Sequence, residues 1–156
     1  MKFLSKFFFY GFLFILSVSS CKKDDNNDGV GGTPGSCVIA YTYDGSNFST
    51  EVIACLYNDN TLNVGSIGVD EAMIQIDPIS ATGTYVQGAD PDVEVRIFIN
   101  LDDGTQLFGA GATVNVTSLG NNGSSGTFSG DFREISDLTM TGPVYPISNG
   151  TFNADF

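Results

Sequence analysis

An all-β, antiparallel fold is what this sequence predicts, on three observations. From Cys37 onward apolar residues alternate with polar ones, turn-forming clusters separate those runs at short intervals, and no stretch shows clear helical spacing. About nine short strands in the last 120 or so residues suit an antiparallel β-sandwich, with a closed β-barrel as the alternative.

The alternation carries each strand in turn. Val93, Val95, Ile97 and Ile99 interleave with Glu94, Arg96, Phe98 and Asn100, and Ala112, Val114 and Val116 interleave with Thr113, Asn115 and Thr117. Phe128, Gly130 and Phe132 point one way while Thr127, Ser129 and Asp131 point the other, and Phe152, Ala154 and Phe156 repeat the pattern. Each run reads as a half-buried strand. The turns between strands are expected at Asp44-Gly45, Asn58-Asp59-Asn60, Asp103-Gly104, Asn121-Asn122-Gly123 and Asn149-Gly150. Phe98 sits with the polar set, so it covers a sheet edge, fills a second small core or lines a binding surface.

Cys37 and Cys55 fall on the first two strands. A three-residue loop at Gly45-Ser46-Asn47 would oppose them directly, together with Ile39 and Ile53, at the roughly 4.5–5.5 Å spacing that a disulfide accepts. A bridge is one expectation and two buried thiols are the other. A one-residue shift of the turn would send the two sulfurs to opposite faces.

The first 25 residues carry a different signal. Lys2 and Lys6 precede a largely apolar run of 12 residues from Phe7 to Val18, which is followed by Val18-Ser19-Ser20-Cys21. A positive start, a short apolar core and small residues before a cysteine read as a lipoprotein signal spanning 1–20, with Cys21 the lipid-bearing residue. The run is shorter than the roughly 20 apolar residues needed to span a bilayer. Residues 21–36 then read as the lipidated cysteine and a flexible linker, rich in Asp, Asn and Gly with Val30 as its one large apolar residue. Asp24-x-Asn26-x-Asp28-Gly29 matches the first half of an EF-hand loop, but Gly35 stands where the closing bidentate Glu belongs. The expected plan is therefore a signal at 1–20, a linker at 21–36 and one β-domain at 37–156.

Charge narrows the partners. From Cys37 onward two basic residues, Arg96 and Arg133, face fifteen acidic ones, a formal charge of −13. Such a field repels phosphate backbones, which excludes nucleic acid as an expected partner, and it keeps a tethered protein soluble. The chain contains no His and no Trp. Ser-His-Asp and Cys-His pairs are thereby excluded, and the commonest metal ligand is missing. The eighteen-residue spacing of Cys37 and Cys55, without a flanking CxxC, fits neither a zinc knuckle nor a redox pair. No cofactor is expected beyond covalent lipid on Cys21, and no metal.

Paired carboxylates remain the one route to catalysis, as in glycoside hydrolases, with Glu51, Glu94, Asp131 and Glu134 the acids that lie within strands. Alternation places Glu94 and Asp131 on solvent-facing sets. Asp90-Pro91-Asp92 with Glu94 is a local acidic cluster that reads as a solvated turn or a weak calcium site. A non-catalytic binding or display module is the stronger expectation, with Tyr57 and Tyr145, beside turn residues, as candidate ligand-binding rings. Its ligand would be a glycan, a peptide or an envelope protein; a structural or accessory subunit of an envelope complex is the alternative.

Three Gly-Thr-aromatic steps, Gly83-Thr84-Tyr85, Gly126-Thr127-Phe128 and Gly150-Thr151-Phe152, accompany Tyr43-Asp44-Gly45-Ser46-Asn47-Phe48 and Ile147-Ser148-Asn149-Gly150-Thr151-Phe152. Together these resemble a family of small Bacteroidota lipoproteins of unknown function. The resemblance implies a lipobox, a polar spacer and a single antiparallel β-domain, and brings no catalytic residues. Lys22-Lys23-Asp24-Asp25 resembles the tether of lipoproteins carried to the outer face of the outer membrane. The location so implied is the cell surface, with the periplasmic face as the alternative.

Overall fold

The computed structural model describes residues 36–156 apart from Ile67, Val69 and Leu138. The signal and linker expected at 1–36, Cys21 and the EF-hand-like motif lie outside the described residues, save Ser36. Those described form eleven strands and no helix: β1 (Cys37–Tyr43), β2 (Ser46–Val52), β3 (Cys55–Asn58), β4 (Thr61–Val64), β5 (Ala72–Asp77), β6 (Gly83–Val86), β7 (Glu94–Asn100), β8 (Gln106–Gly109), β9 (Thr113–Gly120), β10 (Gly123–Glu134) and β11 (Tyr145–Asp155). All pair antiparallel in one sheet of order β2-β1-β11-β10-β8-β7-β5-β4-β3, while β9 and β6 continue from the other half of β10. The sheet curls until it is nearly closed into a barrel. The all-β antiparallel expectation holds, with eleven strands against about nine.

Local chemistry sets the corners. Asp44 and Gly45 both take positive φ (47° and 74°), as do Asp59 and Asn60 (50° and 63°). These are the left-handed pairs that a two-residue hairpin needs to match strand twist. Tyr43 therefore pairs with Ser46 and Cys37 with Val52, not with Cys55. The three-residue loop expected from sequence is corrected to two residues, and Ile39 meets Thr50 while Ile53 lies beyond the strand, 80% exposed.

Asn149-Gly150 is the one turn signal that does not turn the chain. β11 runs straight through it, and an extra residue is absorbed there against both neighbours: Ala40 and Thr42 pair with Thr151 and Ser148, Phe128 and Gly130 with Gly150 and Ile147. Asn149 takes φ 50°, a left-handed conformation that some bulges use and that Asn tolerates. The bulge lets Ile147 and Phe152 share the inner face despite their opposite parity.

The core fills the inside of the curved sheet. Ile39, Leu62, Ile74, Ile76, Ile97, Ile99, Leu107, Val114 and Phe132 are essentially inaccessible to solvent. Phe98, the exception to its run, stands on the outer face between Met73 and Phe108 in register on β5 and β8. Met73 is buried there, and Phe98 and Phe108 are half-buried.

The Gly-Thr-aromatic steps now have a packing explanation. Gly126 pairs with Phe152 and Gly150 with Phe128, so each glycine faces the ring of the other step. A Cβ on Gly126 would lie 2.6 Å from the Phe152 ring and one on Gly150 2.7 Å from the Phe128 ring. What these two glycines supply is therefore missing volume under a cross-strand ring. Gly83 and Gly126 likewise flank Val116 on either side.

One buried carboxylate escaped the sequence reading. Asp70, 6% exposed, accepts the backbone N–H of Ile53 (2.8 Å) and of Ser66 (2.7 Å), while its own carbonyl accepts Asn100 Nδ2 (3.0 Å). It ties the segment after β2 to the approach to β5, satisfying two donors that would otherwise be orphaned. No periodicity marks such a residue, because its partners are backbone groups brought close only by the fold.

Candidate functional site

The same registers that bury the aromatics carry the middle residue of each Gly-Thr-aromatic step outward. Thr84 pairs with Asn115, Asn115 with Thr127, Thr127 with Thr151, Thr151 with Ala40 and Ala40 with Ser49. Three motifs separated in sequence thus place their threonines in one row across six strands. A shallow groove of about 530 Å³ runs along the part of it from Thr84 to Thr151, on β6, β9, β10 and β11, and is bordered as well by Thr113, Ser129 and Asn149. No charged side chain lines the groove, although the domain carries fifteen acids.

The side chains of this face are tied to one another. Thr84 donates to Asn115 Oδ1 (3.3 Å), Thr42 to Asn47 Oδ1 (2.9 Å), and Asn149 Nδ2 donates to Thr42 (3.5 Å). Such hydrogen bonds lower the rotamer freedom a ligand would otherwise have to restrict. Each hydroxyl or amide also retains capacity as donor or acceptor. Chemically, the face can exchange hydrogen bonds with a neutral, hydroxyl-rich ligand.

Of the two tyrosines singled out from sequence, the structure places each in a different setting. Tyr57 packs against the core and donates its hydroxyl to the Ile79 carbonyl (3.2 Å), which closes the β3–β4 end. Tyr145 is half-buried at the start of β11, tilted against Tyr43 at 6.0 Å between ring centres, and donates to Glu134 Oε1 at 2.5 Å. Neither lines the polar groove. Tyr41, stacked on Phe48 at 5.2 Å, completes an aromatic and acidic end of the sheet near Glu71 and Asp102.

That end has a measurable consequence. The hydrogen bond to Glu134, with burial and the Glu134 charge behind it, pushes the Tyr145 phenol up to about 12. Burial, with the charges of Glu71 and Asp102, does the same for Tyr41. The fold favours the neutral phenols, so their contribution is whole below about pH 10 and drains away as pH climbs toward about 12. In an alkaline titration, tyrosinate absorbance from Tyr41 and Tyr145 is expected only as pH approaches about 12, and Tyr145→Phe removes part of that late rise. A single wave near pH 10 from a protein still folded by circular dichroism would contradict this arrangement.

The acids named from sequence disperse. Glu94 pairs with Arg96 on the outside of β7, Glu134 is engaged by Tyr145, and Glu51 and Asp131 are exposed on β2 and β10. Asp90 accepts the Asp92 backbone N–H (2.9 Å) in a local turn. Among the described residues no three Cys, Asp or Glu side chains converge as a metal site. A carboxylate absent from the sequence reading, Asp137, organises the β10–β11 connection: it accepts the Gly142 N–H (2.8 Å) and the Thr139 hydroxyl (3.0 Å) and lies 3.6 Å from Arg133 Nη1. These contacts, led by the Gly142 bond, hold its carboxyl below the usual carboxylate range.

Cys37 and Cys55 are joined by a disulfide, with Cα atoms 6.3 Å apart. β1 and β3 exchange no ladder hydrogen bonds, yet β1 stands next to one end of the sheet order and β3 at the other. The bridge is the covalent seam of the nearly closed sheet. Both sulfurs also lie within 4 Å of the Asp155 carbonyl, at 3.9 and 3.8 Å, so the end of β11 abuts the seam.

Fold and site together define an antiparallel β-domain, curled nearly to a barrel, with an uncharged hydroxyl and amide face. No protein-family model, no curated protein and no solved structure matches the chain.

Proposed function

We propose that this chain is a lipid-anchored, non-catalytic binding module of the cell envelope whose ligand is a neutral glycan held on the Thr84–Asn115–Thr127–Thr151 face. The observation that carries the ligand is the convergence of the three Gly-Thr-aromatic steps into one uncharged row. Sugar hydroxyls both donate and accept, and so do threonine and asparagine. By keeping this groove free of charge, the acidic domain avoids the desolvation penalty that a carboxylate would impose on a neutral ligand.

Location rests on other grounds. The lipobox ending at Cys21, with its resemblance to small Bacteroidota lipoproteins, supports a lipid anchor in the outer membrane, and Lys22-Lys23-Asp24-Asp25 supports the outer face. A disulfide suits an oxidising compartment. Its partners are then the membrane, through the lipid on Cys21, and an envelope glycan, with no cofactor required.

Sedimentation with insoluble neutral polysaccharides tests the ligand. Thr127→Glu and Thr151→Glu each introduce a carboxylate into the row while touching no core contact. Binding is expected to fall about tenfold or more, which corresponds to about 1.4 kcal/mol, with the urea midpoint unchanged. Unaltered binding by both variants, or no binding by the parent across a broad glycan panel, would remove the glycan from the proposal.

A further inference from the structure

Ile53 and Leu56 are the two most exposed large apolar side chains among the described residues, at 80% and 52%. They flank Cys55, whose disulfide to Cys37 fixes them beside the first residue of β1. The chain reaches that residue directly from Ser36, the last of the sixteen residues that begin at Cys21. Between and behind the two side chains lies a groove of about 600 Å³ whose lining includes Ala54, Asn63, Met73 and Gln75 and carries no charge. Asp70, which binds Ile53 and Ser66 at its border, is buried and engaged by their two backbone donors.

We infer that this face lies on the lipid bilayer that holds the anchor, with Ile53 and Leu56 entering the interface. The inference rests on the lipid-anchored reading proposed above. If the linker expected from sequence at 21–36 is flexible, its sixteen residues would reach about 22 Å root-mean-square, which would hold the face at millimolar effective concentration near the membrane, where a weak intrinsic affinity suffices. Position decides which surface benefits: the disulfide puts the exposed aliphatic pair where the spacer ends. Charge permits this face as it permits the equally uncharged threonine groove, since anionic headgroups repel the acidic remainder, and of the two only this one exposes large aliphatic side chains. The groove along the polar row is lined from β6, β9, β10 and β11, whereas this face is lined from β3, β4, β5 and the segments beside them, so the polar groove stays open to ligand when the domain rests on lipid.

The absence of tryptophan makes a clean test. Full-length, lipid-modified protein carrying Leu56→Trp, Val144→Trp or Thr84→Trp would be reconstituted in phosphatidylcholine vesicles with brominated acyl chains, and each single fluorophore measured after flotation. Expected is a blue-shifted emission from Leu56→Trp that is more than halved by bromine, with the other two unaffected; Ile53→Trp behaves like Leu56→Trp and replaces it if that variant does not fold. An unquenched Leu56→Trp and Ile53→Trp in protein that floats with the vesicles overturns the inference and leaves the anchor standing. Equal quenching at all positions overturns it too, because no face is then preferred. A blue shift in detergent micelles free of bilayer that grows with protein concentration assigns the patch to a second copy instead. Failure to float, with Cys21 carrying no lipid by mass spectrometry, sinks the lipid-anchored reading itself.

Discussion

Phe152→Ala is expected to destabilise the domain by about 4 kcal/mol, a large share of the roughly 5–15 kcal/mol that holds a domain of this size folded. The ring is 2% exposed and occupies space that Gly126 leaves empty on β10. Gly126→Ala is expected to destabilise by about 3 kcal/mol for the converse reason, overpacking, since its new Cβ meets both the ring at 2.6 Å and the Asn115 carbonyl at 2.4 Å. The two effects should not add. Removing the ring relieves one of the two clashes, so the double variant recovers part of the cost of Gly126→Ala, while the carbonyl clash persists. Urea unfolding of the four proteins gives the coupling, and strict additivity would mean that ring and glycine do not share the site.

Loss of the disulfide is the second large effect. Cys37→Ala with Cys55→Ala is expected to cost about 3 kcal/mol, the chain-entropy value for a loop of this length. The loss should be local. β3 is held by hydrogen bonds to β4 on one side alone, so hydrogen exchange is expected to rise in β3 and β4 and to stay slow in β10 and β11, which are paired on both sides. A loss below about 1 kcal/mol, or a uniform rise in exchange, would show that the sheet needs no covalent seam. The glycan and bilayer proposals depend on different strands of the same sheet. Reduction should therefore disturb the Ile53–Leu56 face and spare the threonine row.

Much of this architecture was legible in the sequence because period-two alternation and turn chemistry are local. The alternation of Val95, Ile97 and Ile99 named the buried face of β7, and that of Val114 and Val116 the buried face of β9, without knowledge of any neighbour. Asp44-Gly45 announced a corner, though not its length: the choice between a two-residue and a three-residue loop depends on φ at both positions, which composition does not specify. Asn149-Gly150 misled for a related reason, since a left-handed Asn serves a bulge as well as a turn. The disulfide was anticipated through the wrong register. Cys55 reaches Cys37 because the sheet curls back on itself, and not because the two strands are hairpin partners.

What the sequence determined by itself was a set of strands, each with an inward and an outward side, and an acidic surface without histidine. Which strands became neighbours was decided only in three dimensions, because pairing joins residues as far apart as Ala40 and Thr151. The threonine row, the ring-over-glycine pairs and the exposed Ile53–Leu56 corner are all consequences of that long-range pairing. Local patterning tells a side chain whether to face the core or the solvent, but a site needs several outward side chains to meet, and only the closing of the sheet brings them together.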